Sequence, residues 1–158
     1  MREIVLLRHA HAESPQVGQT DADRPLSAEG QAAAEAVGRW LVDNGHVPDC
    51  VLCSPARRVR ETIEGVLRVT GYVDQREEPG IYEATPGQLI EILDRYRDCG
   101  RVMLVGHNPG LEQLAALLDS GQTGDYRGMP PAGVAVLRVP ATAALEPGVA
   151  TFTNFWWP

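Results

Sequence analysis

The chain has 158 residues and carries 14 basic side chains, all of them Arg, against 21 acidic ones, so its formal charge is −7. This length predicts one domain spanning residues 1–158. The composition, 44% hydrophobic and 22% charged, is typical of a folded globular chain and not of a disordered one. The acidic excess argues against binding to nucleic acid or to an anionic membrane surface, and no apolar run reaches the roughly 18 residues of a membrane span.

The N-terminus and the cysteines predict a cytoplasmic location. Only four apolar residues follow residues 1–3, which is too few for the core of a signal peptide. The odd number of cysteines, three, indicates reduced thiols. Cys50 and Cys53 have the C-x-x-C spacing of redox and zinc motifs, but on a strand they point to opposite faces about 10 Å apart. We therefore interpret both as structural.

Apolar patterning along the chain predicts alternating strands and helices. Continuous apolar runs indicate buried strands, and apolar residues spaced at i, i+4 and i+7 indicate helices with one buried face. The predicted strands cover residues 3–7, 49–53, 71–76, 102–105, 133–139 and 149–157. The predicted helices begin after the cap residue Ser27, at Pro55, at Pro86 and near Leu111.

This order of elements predicts an α/β fold, a three-layer α/β/α sandwich with a mostly parallel central sheet and helices on both faces. Ligands of such sheets bind beyond the carboxyl ends of the strands. Chemically active residues follow three predicted strands: Arg8, His9 and His11, then Ser54, Arg57 and Arg58, and finally His107. Because Arg binds phosphate oxygens in two-point contacts and His can attack phosphorus, these residues predict a local cationic site for a phosphoryl group.

Two other interpretations of the same residues stay open. His9 and His11 could bind a metal, because histidines two apart on a strand share a face. The barrel hydrolases that use such a pair need about 250 residues, and the bridging Lys carbamate would need a Lys, which this chain lacks. The metal interpretation makes His11 a ligand, whereas the phosphoryl interpretation leaves it in a loop near the pocket mouth. The site could also belong to a non-catalytic phosphate-binding protein.

Aromatic residues near the C-terminus also have two interpretations. Phe152, Phe155, Trp156 and Trp157 could form a patch that binds a partner protein. The alternation of polar and apolar residues over 151–155 favours an edge strand with one face in the core, since aromatic side chains bury readily. We therefore predict core positions for these residues.

Four local strings resemble signature segments of the histidine phosphatase superfamily, also called phosphoglycerate mutase-like. They are Leu-Arg-His-Ala at 7–10, Arg-Pro-Leu-Ser-x-x-Gly at 24–30, Ser-Pro-Ala-Arg-Arg-Val-Arg-Glu-Thr at 54–62 and Val-Gly-His-Asn-Pro-Gly at 105–110. The short chain, the string at 24–30 and the segment at 81–86 look most like the SixA-type phosphohistidine phosphatases. The resemblance implies a phosphoglycerate mutase-like fold and a phosphatase that needs no metal and no diffusible cofactor.

The resemblance also implies catalytic roles. His9 would be the nucleophile that forms a phosphohistidine intermediate, while Arg8 and Arg58 would bind the phosphoryl oxygens. His107 would donate a hydrogen bond to the same group. Glu83 is the nearest candidate for a proton donor, but its neighbours do not match the acid-bearing string of larger members, and a solvated loop carboxylate is the alternative.

Three further residues, Arg24, Arg57 and Ser14, are candidates for binding the substrate. Within Ser-Pro-Ala-Arg-Arg the family's phosphate-binding Arg is the fifth residue, so Arg57 would be either a charge at the rim or a clamp for the rest of the substrate.

The predicted substrate is a phosphorylated protein or a small phosphorylated metabolite. A short chain leaves the site open, which suits a phosphohistidine carried by another protein. A site with a weak acid also favours P–N over P–O cleavage, because imidazole leaves more readily than an alkoxide. A small-molecule phosphomonoesterase of the same family is the alternative, and the sequence does not predict the oligomeric state.

Overall fold

The computed structural model describes residues 1–126 and 128–158. Its strands are β1 (Arg2–Arg8), β2 (Cys50–Cys53), β3 (Asp74–Glu77), β4 (Arg101–Gly106), β5 (Val134–Val139) and β6 (Thr151–Trp156). They form one sheet in the order β3-β2-β4-β1-β5-β6. The pairs among β1 to β4 are parallel, and β5 and β6 are added antiparallel. The prediction of a mostly parallel central sheet is therefore confirmed.

Four helices cover the two faces of the sheet: α1 (Ala28–Asp43), α2 (Arg57–Thr70), α3 (Pro86–Asp94) and α4 (Gly110–Ser120). The apolar faces of α1 and α2 share one buried cluster with the sheet, and those of α3 and α4 share the other. The three-layer α/β/α architecture is thus confirmed. Within the described residues, no helix has the length and apolar character needed to cross a membrane.

Local capping signals determine where two of the helices begin. Ser27 caps α1 as predicted, since its hydroxyl accepts a hydrogen bond from the Gly30 N–H at 3.0 Å. Pro86 is the first residue of α3, also as predicted, and Thr85 and Gln88 form a reciprocal capping box there.

The start of α2 differs from the prediction. This helix begins at Arg57, so the expectation that Pro55 is its first residue is wrong by two positions. The buried hydroxyl of Ser54 accepts a hydrogen bond from the Ala56 N–H at 3.3 Å. This side-chain bond holds residues 54–56 in a turn, so the helical bonds start later.

Side chains along the buried strands alternate between the two apolar layers. Ile4 faces α3 and α4, whereas Val5 faces α1 and α2. Cys50 and Cys53 lie in different layers in the same way, and both are free buried thiols. The prediction that these two cysteines point to opposite faces is confirmed.

The C-terminal aromatic residues belong to the edge strand β6. Phe152 and Phe155 pack against the layer of α3 and α4, and Trp156 stacks on Trp40 with 5.4 Å between ring centroids. Trp157 is 53% exposed. The prediction of a core face is confirmed for the first three and wrong for Trp157, which lies beyond the last paired residue of the strand.

The strand order brings the functional residues to one edge. Because β4 lies between β1 and β2, the carboxyl ends of these three parallel strands are neighbours. The register pairs Arg8 with Gly106, and the His9 N–H continues the ladder by donating to the Gly106 carbonyl at 3.0 Å. Residues 9, 54 and 107 therefore leave the sheet from adjacent positions.

Candidate active site

His9 and His107 lie side by side where β1 and β4 end. Their ring centroids are 5.3 Å apart, with 57° between the ring planes. His9 follows Arg8 and His107 follows Gly106, and these two residues are paired in the parallel ladder of β1 and β4. The ladder therefore fixes the separation of the two histidines. The sequence prediction that these histidines share one edge agrees with this geometry.

The proton position on His9 follows from its hydrogen bond. Its Nδ1 lies 2.8 Å from the carbonyl oxygen of Ala10, which can only accept, so Nδ1 carries the hydrogen. The Nε2 atom of the neutral ring then has a free lone pair. Burial, with the positive charges of Arg58 and Arg8, lowers the pKa of His9 to about 4. The ring is therefore neutral near pH 7 and suited to act as a nucleophile.

A buried hydroxyl connects the nucleophile loop to α2. The Oγ1 atom of Thr62 accepts from the Ala10 N–H at 3.0 Å and donates to the Arg58 carbonyl at 2.7 Å. The side chain of Thr62 has no exposed surface. Since Ala10 in turn orients His9, one hydroxyl couples the nucleophile to the backbone of Arg58. Thr62 was part of a recognised string, but its role depends on contacts that the sequence does not show.

Two arginines offer donors to an anion at this edge. Arg58 is only 6% exposed, and Arg8 donates from Nη1 to the Met129 carbonyl at 2.8 Å. No described residue accepts a hydrogen bond from the buried Nε atom of either arginine. A buried guanidinium group with a donor to spare fits the oxygens of a phosphoryl group.

His107 is held between Arg58 and Ser54. Its Nδ1 accepts from Nη2 of Arg58 at 3.3 Å, so the hydrogen is on Nε2, which lies 2.9 Å from the hydroxyl of Ser54. Burial, followed by the charge of Arg58, lowers the pKa of His107 to about 3. The predicted hydrogen bond from His107 to a phosphoryl oxygen stays a prediction; the N–H of this neutral ring points to Ser54.

Asp21 and Tyr82 are components of the site that the sequence did not single out. The Asp21 carboxylate accepts from Tyr82, Arg24 and Arg58, and its backbone carbonyl accepts from Nη1 of Arg58 at 2.8 Å. These contacts, led by the Tyr82 hydroxyl, lower the pKa of Asp21. The edge of the Tyr82 ring also contacts His107, with 5.3 Å between ring centroids. The nearest sequence signal is the position of Asp21 three residues before Arg24.

A pocket of about 420 Å³ opens beside Arg58 and His107. Its wall also includes Asp21, Tyr82 and Glu83. Glu83 is exposed, has a backbone φ of +56°, and forms no hydrogen bond or ion pair with any described residue. The structure thus places Glu83 in the pocket wall, and its role as proton donor stays a prediction.

Arg24 lies in the loop that precedes α1 and is engaged within that loop. Its Nε donates to the Glu13 carbonyl at 2.8 Å, and its Nη1 donates to the Asp21 carboxylate at 3.0 Å. Its charge contributes to lowering the pKa of His9. Arg24 therefore orients the wall of the pocket, and its predicted contact with substrate stays a prediction.

Arg57 and Ser14 lie outside the cluster. Arg57 forms a surface ion pair with Glu61, one helical turn away, at 2.9 Å. Glu61 also accepts from the Leu26 N–H at 2.8 Å, so this pair fastens α2 to the loop before α1. Ser14 is exposed in that loop, and no described contact links it to the histidines. Substrate binding by Arg57 and Ser14 stays a prediction.

His11 contacts the cap residue at the start of α1. Its Nδ1 lies 2.7 Å from the Ser27 hydroxyl, and a Cβ atom at Gly30 would lie 2.1 Å from the His11 carbonyl oxygen. The string at 24–30 therefore fixes the loop after β1 against the helix. Across residues 1–126 and 128–158, no group of three or more His, Cys, Asp or Glu side chains is arranged to hold a metal ion.

Proteins of similar sequence come from bacteria and plants. The chain is 36% identical over 163 residues to the uncharacterized protein Rv1276c of Mycobacterium tuberculosis, which covers 96% of this chain and 99% of that protein. It is also 36% identical over 128 residues to the uncharacterized chloroplastic protein At3g52155 of Arabidopsis thaliana, covering 74% of this chain and 59% of that protein.

Solved structures of similar fold include proteins designated as the phosphohistidine phosphatase SixA. The one from Agrobacterium tumefaciens has a TM-score of 0.85 at 29% identity and covers 99% of this chain and 98% of its own. A SixA complexed with tungstate has a TM-score of 0.84 and covers 98% of this chain and 96% of its own. At 21% identity, this match shows a likeness of fold alone. The expected phosphoglycerate mutase-like fold is confirmed. The profile of the histidine phosphatase superfamily, branch 1, matches residues 4–98, and the chain belongs to this superfamily.

Proposed function

We propose that this protein is a cytoplasmic, metal-independent phosphatase that forms a covalent phosphohistidine on His9, and that its substrate is a phosphohistidine on another protein. The observation that carries the proposal is a neutral His9 whose Nε2 lone pair is free, beside the buried donors of Arg8 and Arg58. Nucleophile and anion-binding groups are together, as covalent phosphoryl transfer requires. The likeness to SixA structures supports the choice of substrate.

In the first step, Nε2 of His9 attacks phosphorus and the bond from phosphorus to the substrate imidazole breaks. The electron pair of that bond stays on the substrate nitrogen, whose ring already carries a proton on its other nitrogen and leaves neutral. The proton on Nδ1 of His9 remains hydrogen-bonded to the Ala10 carbonyl and balances the new N-phosphoryl group. Arg8 and Arg58 stabilise the charge on the phosphoryl oxygens.

In the second step, water attacks phosphorus and the bond to His9 breaks. The electron pair returns to Nε2, both protons of water leave with the phosphate, and the neutral Nδ1–H ring is restored. Because the pKa of His9 is lowered to about 4, the ring does not take up a proton near pH 7 and is ready for another cycle.

Trapping the intermediate tests the proposed chemistry. Brief reaction with a ³²P-labelled phosphohistidine protein, followed by alkaline quenching, is expected to leave label on the wild-type chain and none on His9→Ala. His11→Gln is the matched control, because this histidine lies two residues away with its ring directed at Ser27. Absence of both turnover and labelled enzyme in the wild type would refute the phosphatase function.

Parallel assays separate the proposed substrate from the alternative, a small phosphate ester. The pocket of about 420 Å³ is large enough for the leaving group of such an ester, which is the observation that favours this second candidate. We expect kcat/KM for a phosphohistidine protein to exceed that for p-nitrophenyl phosphate and for sugar phosphates. Faster turnover of the esters would identify a small-molecule phosphomonoesterase.

A further inference from the structure

The pocket beside the phosphoryl site has an uneven distribution of charge. Two carboxylates, Asp21 and Glu83, belong to its wall. The cation in the described wall is Arg58, whose guanidinium already pairs with Asp21 at 3.1 Å. His107 adds no charge near pH 7, because its pKa is lowered to about 3. Arg24 adds a second cation on Asp21 at 3.0 Å from outside the wall. The Glu83 carboxylate is therefore the unpaired charge of the region that would receive the leaving group, next to a cationic phosphoryl site.

The carboxylate of Asp21 is rigidly placed and accessible. The hydroxyl of Tyr82 and the guanidinium groups of Arg24 and Arg58 hold it from three elements of the fold, yet half of its side chain remains exposed. Glu83, by contrast, is exposed and free of hydrogen bonds and ion pairs among the described residues. One fixed and one free carboxylate thus face the same opening.

We infer that Asp21 and Glu83 select for bound substrates that carry positive charge on the part that will leave, and against substrates that carry negative charge there. This inference rests on the proposed function and deepens it. A phosphohistidine whose second ring nitrogen is protonated carries positive charge on the ring, and it is the form that leaves as neutral imidazole. Carboxylates beside that ring favour the protonated form, whereas they repel the carboxylates and phosphates of anionic metabolites.

A charge series of substrates tests this selection without the instability of phosphohistidine. The 4-amidinophenyl, 4-carbamoylphenyl and 4-carboxyphenyl phosphates have leaving groups of similar shape that are positive, neutral and negative at pH 7.5. The quantity to measure is the ratio of kcat/KM for the amidino ester to that for the carboxy ester. Comparing this ratio between variants and wild type cancels the intrinsic reactivity of each phenol. Loss of a proton donor would act in the opposite sense and raise the ratio, because the phenol of the carboxy ester is the weaker acid and depends more on protonation.

Two variants remove the carboxylates while keeping shape and hydrogen-bond acceptors: Asp21→Asn and Glu83→Gln. Each is expected to lower the amidino-to-carboxy ratio by about fivefold, the size of effect of a partly exposed charge, and 0.5 M NaCl is expected to reduce the wild-type ratio. Asp23→Asn is the matched control, since Asp23 is exposed in the same short turn but is not part of the pocket wall. It should leave the ratio unchanged.

The outcomes distinguish the inference from the function beneath it. An unchanged ratio in both Asp21→Asn and Glu83→Gln overturns the inference while the phosphatase activity stands. An equal loss for all three esters in Asp21→Asn, with no effect of Glu83→Gln, makes Asp21 a positioning residue for Arg58 and also overturns it. An equal change of the ratio in Asp23→Asn assigns the effect to the net charge of the chain and likewise overturns the inference. If no ester is hydrolysed, the inhibition constants of the three esters against a phosphohistidine protein give the same ratio. Failure both to turn over a phosphohistidine protein and to form a phosphoenzyme refutes both the inference and the proposed function.

Discussion

Arginine and histidine side chains cluster at both ends of β1, but the two clusters differ in charge balance. At the amino end, the Glu3 carboxylate accepts from Arg101 and His46 and lies 3.8 Å from Arg138. Burial opposes the charge on Glu3, but the hydrogen bonds from Arg101 and His46 outweigh it and lower the pKa of Glu3. At the carboxyl end, His9 lies among arginines that lower its pKa. The first cluster therefore surrounds a carboxylate that is already present, whereas the second, in the proposed function, is a receptor for negative charge brought by the substrate.

Arg2 shows why a free donor alone does not identify such a receptor. It lies at the amino end, is 3% exposed, and has two buried nitrogens for which no described residue is an acceptor. Its remaining donor binds the Ala143 carbonyl at 3.0 Å. What distinguishes the carboxyl end is that free donors of Arg8 and Arg58 occur beside a nucleophile with a free lone pair. The proposed function rests on this combination.

Removing one arginine from each end gives the largest expected contrast. Arg58→Ala is expected to lower kcat/KM by about 10²- to 10³-fold, since it removes donors to the charge that develops in the transition state. Arg101→Ala is expected to keep kcat/KM within about twofold and to lower the free energy of unfolding by about 2 kcal/mol, because it leaves Glu3 underpaired. Phosphatase assays and urea unfolding measure both; comparable activity losses in the two variants would contradict the distinction.

The pH dependence of kcat/KM tests whether the arginines at the carboxyl end keep His9 neutral. His9 must be neutral to attack, so kcat/KM is expected to stay level on acidification past pH 6.5 and to fall about tenfold per unit below its pKa of about 4. Arg58→Gln removes a charge that lowers this pKa, and the acid limb should move to higher pH. A limb near pH 6.5 in the wild type, with circular dichroism showing a folded chain, would contradict a buried neutral His9.

The lowered pKa of His9 also makes the stability of the folded chain depend on pH. Between pH 6.5 and about 4, His9 binds a proton in the unfolded chain but not in the folded one. By linkage, the stability from this group is fully present above pH 6.5 and is lost as the pH falls through that window. Urea midpoints measured across it are expected to decrease with falling pH, alongside constant activity of the folded fraction.

The sequence predicts the sheet edge and its residue types well, because strand periodicity and parallel order are local and topological signals. It does not predict Asp21, which lies in a loop without periodicity and is held by Arg58 and Tyr82, residues 37 and 61 positions away. The tautomer of His9 is likewise set by the Ala10 carbonyl, whose orientation depends on a distant hydroxyl. Residue types are readable from sequence, whereas hydrogen-bond direction depends on packing.

Removing the Thr62 hydroxyl is expected to have a smaller effect at the carboxyl end of β1 than removing Arg58. Thr62→Val keeps the shape but leaves the buried Ala10 N–H without its acceptor, which is expected to cost about 2 kcal/mol of stability. We expect kcat/KM to fall about tenfold, because His9 loses its fixed orientation. Thr62→Ser retains the hydroxyl and should keep most of the activity. Wild-type activity in Thr62→Val, with an unchanged ¹⁵N signature of the Nδ1–H tautomer, would exclude this positioning role.

The last contrast concerns stability alone and compares two helical glycines, one of which packs against the loop that supports the nucleophile. A Cβ atom at Gly30 would lie 2.1 Å from the His11 carbonyl, and backbone must move to accommodate it, so Gly30→Ala is expected to destabilise the chain by about 2 kcal/mol. At Gly87, inside α3, a Cβ meets no atom within 4 Å, and Gly87→Ala is expected to stabilise by about 0.5 kcal/mol. The pair separates close packing from helix propensity, because both positions are helical glycines. Urea unfolding of the two variants measures both changes in the free energy of unfolding. If Gly30→Ala were stabilising, the loop after β1 would not be fixed by α1, and His9 would be positioned from the sheet alone.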